Sequence, residues 1–277
     1  MSAPPYPLEG VVSWNMNTTC NYRCSYCTQR FKDNRRQWAR DLPRFIDAFT
    51  RLPGDWEIKL SGGEPLRHPG FSEAVSALAR GGMRVSVVTN LSARREVLAR
   101  FAADTAERPG LLSASLHLEY ADPIEFLNTL LWLRPQYAGR MCVTAVATRE
   151  NLPRLPALRA RFEEEGVRFK IQPEKQDREV IAYTPAEQEQ ILALGGHNHT
   201  GRIAPDFFGR LCWAGARYFI VDHLGEAWRC YPARRYRKEY LGNVLSPDFF
   251  PAFDAAPCPY RYCNCTVPQQ RGMMPTH

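Results

Sequence analysis

Along most of the chain, short apolar runs rich in β-branched residues alternate with longer segments whose apolar residues recur every three or four positions. The short runs predict strands: "VVSWNM" (11–16), "WEIKL" (56–60), "RVSVVT" (84–89), "LLSASLH" (111–117), "CVTAVA" (142–147) and "VRFKIQ" (167–172). Between them, "RRQWARDLPRFIDAFTRL", "FSEAVSALARGG", "ARREVLARFAA", "DPIEFLNTLLWL" and "LPALRARFEEEG" carry the helical period. Strict alternation of strand and helix is the pattern of a parallel sheet with crossover helices. The predicted fold class is therefore α/β: a partial (β/α)6 TIM-like barrel, open rather than closed into eight units.

After Gln172 the pattern changes. "TPAEQEQILALGG" (184–196) opens with Thr and Pro in cap and first-turn positions and ends in glycine, which predicts a helix. "YFIVDHLGEAW" then reads as a β-hairpin turning around His223 to Gly225, and five cysteines follow one another through the tail at 212, 230, 258, 263 and 265. Too small for a large core, this tail is a segment that a metal site could staple. The expected organisation is a core over 1–175, a connecting helical segment over 176–204 and a cysteine-rich domain over 205–277.

Composition adds limits more than answers. With 44% hydrophobic, 12% aromatic and 23% charged residues in 277, the chain is an ordinary globular protein. Its net charge of +7 comes with local basic clusters at Arg35 and Arg36 and at Arg234, Arg235, Arg237 and Lys238. Such runs are usually solvated faces, no RNA-binding signature accompanies them, and nucleic acid is not an expected partner. "MSAPPYPLEG" lacks the features of a signal peptide, and no apolar run approaches the ~18 residues needed to cross a bilayer, so a cytoplasmic location without membrane contact is expected. Disulfides are rare there, and the nine cysteines read better as metal ligands.

"CNYRCSYC" (20–27) sets three of them, Cys20, Cys24 and Cys27, directly after the first strand, at the end of the sheet where α/β folds place active sites. A structural zinc site needs four protein ligands, and no fourth cysteine is near in sequence. A 4Fe-4S cluster held by three cysteines leaves one iron open for chemistry. The spacing CxxxCxxC, with Tyr26 before the last cysteine, resembles the signature of the radical S-adenosylmethionine (SAM) superfamily. "LSGGEPL" (60–66) at the end of the second strand is similar to that superfamily's GGEP motif. The resemblance implies that SAM completes the coordination of the open iron, with Tyr26, Gly62, Gly63, Glu64 and Pro65 around it. Glycines let backbone approach a ligand closely, and Glu64 is able to accept hydrogen bonds from an ammonium. Asn90, Ser113, Ser115 and His117, on the third and fourth strands, are further candidates for contact with SAM. Glu119, Lys170 and Gln172 join His117 as candidates at strand ends, because two-residue spacing sends side chains to one face.

"CWAGARYFIVDHLGEAWRC" has Cys212, twelve residues, Gly225, four residues and Cys230. This resembles the C-x(9–15)-G-x(4)-C opening of the twitch and SPASM extensions of radical SAM enzymes. The later "CPYRYCNC" offers Cys258, Cys263 and Cys265, too few for the two auxiliary clusters of a full SPASM domain. The resemblance thus implies one auxiliary 4Fe-4S cluster, held by Cys212, Cys230 and two of the last three; a cluster ligated by only three cysteines and a zinc ribbon are the alternatives. Cys142 is expected to be buried packing, at the end of the barrel away from the chemistry. His197 and His199 are expected in a polar surface loop, and the closing "RGMMPTH" as a loose terminus.

The superfamily resemblance implies reductive cleavage of SAM to methionine and a 5′-deoxyadenosyl radical that removes a hydrogen from an unactivated carbon. A flavodoxin- or ferredoxin-type donor would supply the electron. Oxidation of the substrate, as dehydrogenation or crosslinking with the auxiliary cluster as electron acceptor, is the first expectation. A redox-neutral epimerase with a cysteine hydrogen donor is the alternative; a non-catalytic Fe–S or zinc protein that binds nucleic acid is the remote one. No leader-recognition domain has room before residue 11, which favours a small-molecule substrate, or a peptide presented by a separate partner.

Overall fold

The structure, a computed structural model, describes residues 10–29, 35–176, 179–195, 206–261, 263, 267 and 271–274. Six parallel strands, β1 (Gly10–Asn17), β2 (Trp56–Gly62), β3 (Arg84–Thr89), β4 (Pro109–Leu116), β5 (Arg140–Ala147) and β6 (Arg168–Pro173), lie side by side in chain order. Helices α1 (Arg35–Thr50), α2 (Phe71–Arg80), α3 (Arg95–Asp104), α4 (Pro123–Leu133) and α5 (Leu155–Glu164) make the crossovers. This is the partial barrel that the sequence predicts, and its strand limits fall within a few residues of the expected ones.

Period-two alternation gives the sheet its two faces. Trp14, Leu60, Val87 and Leu112 stand side by side in register and are all almost fully buried beneath the helices. Phe45 and Phe49, one turn apart on α1, close over Trp14 with ring centroids at 4.8 and 5.1 Å. Removing an aromatic group from such a packed position costs about 3–5 kcal/mol. The intervening positions point to the concave side and are polar: Ser13, Lys59 and Ser86 across β1 to β3, and Ser115, Thr144 and Lys170 across β4 to β6. Helix starts follow the local chemistry: Asp122 accepts from the N–H groups of Ile124 and Glu125 at 2.9 and 3.0 Å, with Pro123 in the first turn of α4.

Beyond β6 come a small hairpin of β7 (Lys175–Gln176) and β8 (Glu179–Val180), and then α6 (Pro185–Ala193). The Thr184 hydroxyl accepts from Glu187 N–H while the Glu187 carboxylate accepts from Thr184 N–H, a complete capping box. β9 (Leu211–Cys212), β10 (Tyr218–Val221), β11 (Glu226–Trp228), α7 (Tyr231–Tyr236), β12 (Tyr240–Asn243) and β13 (Ala256–Pro257) make up the rest. β10 and β11 form the expected hairpin, its turn closed by Gly225 N–H donating to Asp222 O at 3.0 Å.

The tail does not stand apart from the barrel. β10 pairs in parallel with β1, so one nine-stranded sheet runs β12-β11-β10-β1-β2-β3-β4-β5-β6 through both. A second core on the face of Val11, Tyr218 and Ile220 gathers Phe207, Cys212, Cys230, Ala233 and Met273. Residues 271–274 are not a loose terminus: Met273 is fully buried, its carbonyl accepts from Trp213 N–H at 2.9 Å, and Arg271 pairs with the buried Glu57 carboxylate on β2. Apolar methionines and a buried carboxylate that Arg271 neutralises together explain why the tail folds back. Among the described residues no helix is long and apolar enough to cross a membrane. His197, His199 and Cys265 lie outside the described residues.

Candidate active site

The loop after β1 and the turn after β2 are joined backbone to backbone. Gly63 N–H donates to Asn17 O at 3.0 Å and Glu64 N–H to Thr19 O at 2.8 Å, so the chain entering Cys20 is hydrogen-bonded to the glycine turn. Asn17, fully buried, closes the junction by donating to Glu64 O at 2.8 Å and accepting from Gly63 N–H at 3.1 Å. Two glycines are required there. Gly62 has φ +135, and a Cβ on Gly63 would fall 2.0 Å from Thr19 O.

Glu64 reaches inward, to the end of β3. Its carboxylate accepts from Leu66 N–H at 3.1 Å, Thr89 Oγ1 at 2.7 Å and Asn90 N–H at 2.6 Å, and is 1% exposed. Burial pushes its pKa up to about 7 despite these donors. Three donors on a buried carboxylate make Glu64 the clasp between β2 and β3. Asn90 continues the clasp: its amide donates to Asn21 Oδ1 at 3.1 Å and approaches Cys20 Sγ at 3.8 Å, and its carbonyl oxygen accepts from Ser92 N–H.

The end of β4 grips the same loop from the other side. Glu119 accepts from Ser25 N–H at 2.9 Å and from its hydroxyl at 2.5 Å. His117 Nδ1 lies 2.9 Å from Tyr26 Oη and 3.4 Å from Cys24 Sγ, and Tyr22 stacks on Tyr120 at 4.6 Å. Burial lowers the His117 pKa, so the ring is neutral at pH 7 and able to accept from the Tyr26 hydroxyl. The same cause pushes the Cys24 thiol up to about 11. Pro65 starts a short turn of 3-10 helix over Pro65–Arg67 behind this junction.

Cys20, Cys24 and Cys27 share one loop, ordered by Tyr22 N–H donating to Cys20 Sγ at 3.3 Å and Cys27 N–H donating to Cys24 O at 3.0 Å. Among the described residues no three Cys, His, Asp or Glu side chains converge tightly enough to share a single metal ion. A four-iron cluster gives each thiolate its own iron, so three thiols spread along one loop suit it better than they suit zinc.

Cys212, Cys230, Cys258 and Cys263 line one pocket in the second core, with Ala214, Pro232 and Met274 around them. Its side is built by Arg229, 8% exposed, which donates to Ala214 O, Cys212 O, Ala256 O and Pro257 O and pairs with Glu239 at 2.6 Å. That single guanidinium therefore ties together the segments that carry Cys212, Cys230 and Cys258. Four thiols in an enclosed, apolar setting are a donor set that a second cluster would satisfy.

Ser113 and Ser115 face the concave side, in register with Cys142 and Thr144 on β5. Cys142 is buried as expected, yet it sits on that same face within β5, its Sγ 3.7 Å from Ser113 Oγ and in contact with Lys170. Sequence reasoning passed over Asn17, Thr89 and Arg229. Asn15 and Asn17 follow apolar residues at two-residue spacing in the first strand, which was the available signal; nothing local marks Arg229.

Comparison with known proteins agrees with this geometry. Residues 14–134 match the family model described as the Radical SAM superfamily. A segment of 97 residues, 30% of the chain, is 29% identical to the S-adenosylmethionine-dependent nucleotide dehydratase of Psychrobacter lutiphocae, of which it covers 33%. Over 115 residues, 40% of the chain, the identity to a probable GTP 3′,8-cyclase of Pyrobaculum aerophilum is 27%, covering 35% of that protein. The matches thus span about a third of the length of these relatives. Streptococcus suis SuiB bound to S-adenosylmethionine superposes with a TM-score of 0.62 at 13% identity, over 87% of this chain and 64% of that one. The anSMEcpe structure with bound AdoMet gives 0.58 at 15% identity, over 85% and 78%. These two likenesses concern the fold. The matched span, residues 14–134, covers β1 to α4 with the cysteine loop and the glycine turn, and is what this chain shares with the radical SAM superfamily.

Proposed function

We propose that this radical SAM enzyme oxidises a small-molecule or peptide substrate, with a second cluster in the tail as the electron acceptor. The observation that carries this reading is the pocket lined by Cys212, Cys230, Cys258 and Cys263, packed against β10, which itself pairs with β1. In the proposal Cys20, Cys24 and Cys27 hold the SAM-binding 4Fe-4S cluster, and Gly62, Gly63, Glu64 and Pro65 shape the SAM site beside it. When bound, these groups supply the electron and the 5′-deoxyadenosyl radical that removes hydrogen from carbon. The chain's own part is placement. Asn17, Glu64 and Asn90 fix the cysteine loop against the strand ends, His117 and Glu119 hold its far side, and Arg229 keeps the tail cysteines together. The concave face is left for the substrate, and the fold-back of 271–274 covers the sheet at Glu57.

The superfamily relatives support the class of chemistry; SuiB has been seen bound to its precursor peptide SuiA, and the curated relatives carry nucleotide-directed names. A second reading, redox-neutral epimerisation, is favoured by one observation: Cys142 places a thiol on the concave face. Anaerobic reconstitution decides first. About 8 iron per chain, falling to about 4 with loss of dithionite-driven 5′-deoxyadenosine formation when Cys20, Cys24 and Cys27 become Ala, supports the oxidation reading. About 4 iron in the wild type and none in the variant would remove the second cluster and the proposal with it. Deuterium incorporated into substrate from D2O, and lost with Cys142→Ala, would move the assignment to epimerisation.

A further inference from the structure

The concave face carries two lysines with no carboxylate to balance them. Lys59 lies on β2 between Ser13 and Ser86 in register, and Lys170 on β6 beside Thr144. In a flat sheet, four ladder spacings would set β2 and β6 roughly 19 Å apart. The barrel curvature turns them toward each other, and the positive charge of Lys59 helps lower the Lys170 pKa, after the larger effect of burial. Four carboxylates near this face are engaged elsewhere, and Glu174, just beyond β6, faces Arg149. Glu57 pairs with Arg271 and accepts from Ser86 Oγ at 2.5 Å; Glu64 holds its three donors; Glu119 holds Ser25. Asp222 accepts from the N–H groups of Leu224 and Glu226 in the hairpin turn. Among the described residues no salt bridge reaches Lys59 or Lys170, and Arg168, in register with Cys142, adds a third cation to the same side.

Half-buried ammonium groups on one face of the sheet, with only the Cys142 thiol against Lys170, are costly unless an anion joins them. Between them stand hydroxyl donors at Ser113, Ser115 and Thr144. We propose that the substrate bears an oxyanion, a phosphate or a carboxylate, which Lys59 and Lys170 hold across the concave face while the hydroxyls of Ser115 and Thr144 complete its shell. This rests on the reading of the concave face as the substrate site. The cations act as an address: they bring one end of the substrate to β2 and β6 and so set which carbon lies toward the cysteine loop.

The test uses reconstituted holoenzyme with SAM, titrated calorimetrically with inorganic pyrophosphate and separately with succinate. Saturable binding of at least one probe is expected, weakened about tenfold or more by Lys170→Met and by Lys59→Met, and retained within about threefold by Lys170→Arg and Lys59→Arg. The preferred probe distinguishes phosphate from carboxylate. The arginine variants, with circular dichroism on all four, separate a lost charge from a lost fold. No binding of either probe to the wild type, or binding untouched in the double methionine variant, overturns the inference. SAM cleavage by the wild type is read in the same preparation. If it is absent while the lysine-dependent binding is present, the proposed function fails and the anion site stands; if cleavage is present without anion binding, the reverse holds.

Discussion

Replacing Gly63 by Ala should separate positioning from folding. The new Cβ would lie 2.0 Å from Thr19 O and 2.4 Å from Thr19 C, both backbone atoms that no side-chain rotation can move. Ordinary contact begins near 3.4 Å, so the strand-to-loop segment must retreat by about 1.4 Å, from 2.0 to 3.4 Å. Thr19 is the residue before Cys20, and its carbonyl accepts from Glu64 N–H at 2.8 Å. Weakening that bond and the Gly63–Asn17 bond costs about 1 kcal/mol each, a loss of a few degrees in Tm for a chain of this size. The functional cost is expected to be larger, because displacement of a reacting geometry by ~1 Å lowers a rate by about 100-fold. The assay is 5′-deoxyadenosine formation with dithionite at matched iron content, beside thermal unfolding. Gly82→Ala serves as the comparison: its φ of +80 makes an Ala strained, but a Cβ there meets nothing within 4 Å, so Tm should fall while the rate per cluster stays unchanged. Wild-type cleavage by Gly63→Ala at full iron loading would refute the argument that this contact positions the cysteine loop.

Glu64 gives a pH dependence whose sign follows from its folded pKa of about 7, raised by burial from 4.5. The unfolded chain releases that proton first, so the apoprotein loses stability as pH rises from about 4.5 to about 7, and Glu64→Gln should flatten this window in a Tm-against-pH series. His68 works in the opposite sense: burial lowers its pKa to about 4, so stability is lost as pH falls from 6.5 toward 4, and His68→Gln should remove that slope. Arg229→Met breaks a largely buried ion pair and four bonds to carbonyl oxygens; it should cost roughly 3 kcal/mol and reduce bound iron from about 8 to about 4 per chain, read by unfolding and iron assay. Full iron loading in that variant would mean the tail cysteines do not need the guanidinium.

Strand and helix positions were legible because alternation and helical period are local. "RVSVVT" and "DPIEFLNTLLWL" define their own faces and ends, and both elements form as the pattern predicts. His117 and Glu119 both reach the cysteine loop, but from a turn beyond the end of β4, where the two-residue spacing of a strand no longer applies. Their partners, Tyr26 and Ser25, come from the far end of the barrel's first loop. The glycine turn was readable as a motif, whereas the inward clasp of Glu64 on Thr89 and Asn90 depends on how β2 and β3 lie in register. "RGMMPTH" looks like a polar end, since the pull on it comes from Glu57, more than two hundred positions earlier. Lys170 was legible as a candidate at a strand end, whereas Lys59 escaped notice for a similar reason: a lysine in mid-strand is unremarkable until the sheet curls.

The parallel pairing of β10 with β1 has a bearing on how the chain is made. β1 leaves the ribosome well before the strand that covers its free edge, which follows some two hundred residues behind it. Through most of synthesis the "VVSW" backbone stands as an open, apolar sheet edge, the kind of surface that recruits other chains. A chain stalled or cleaved before Tyr218 would hold the whole barrel and still lack this protection. Such a fragment should aggregate although no residue of the six-stranded core is missing from it.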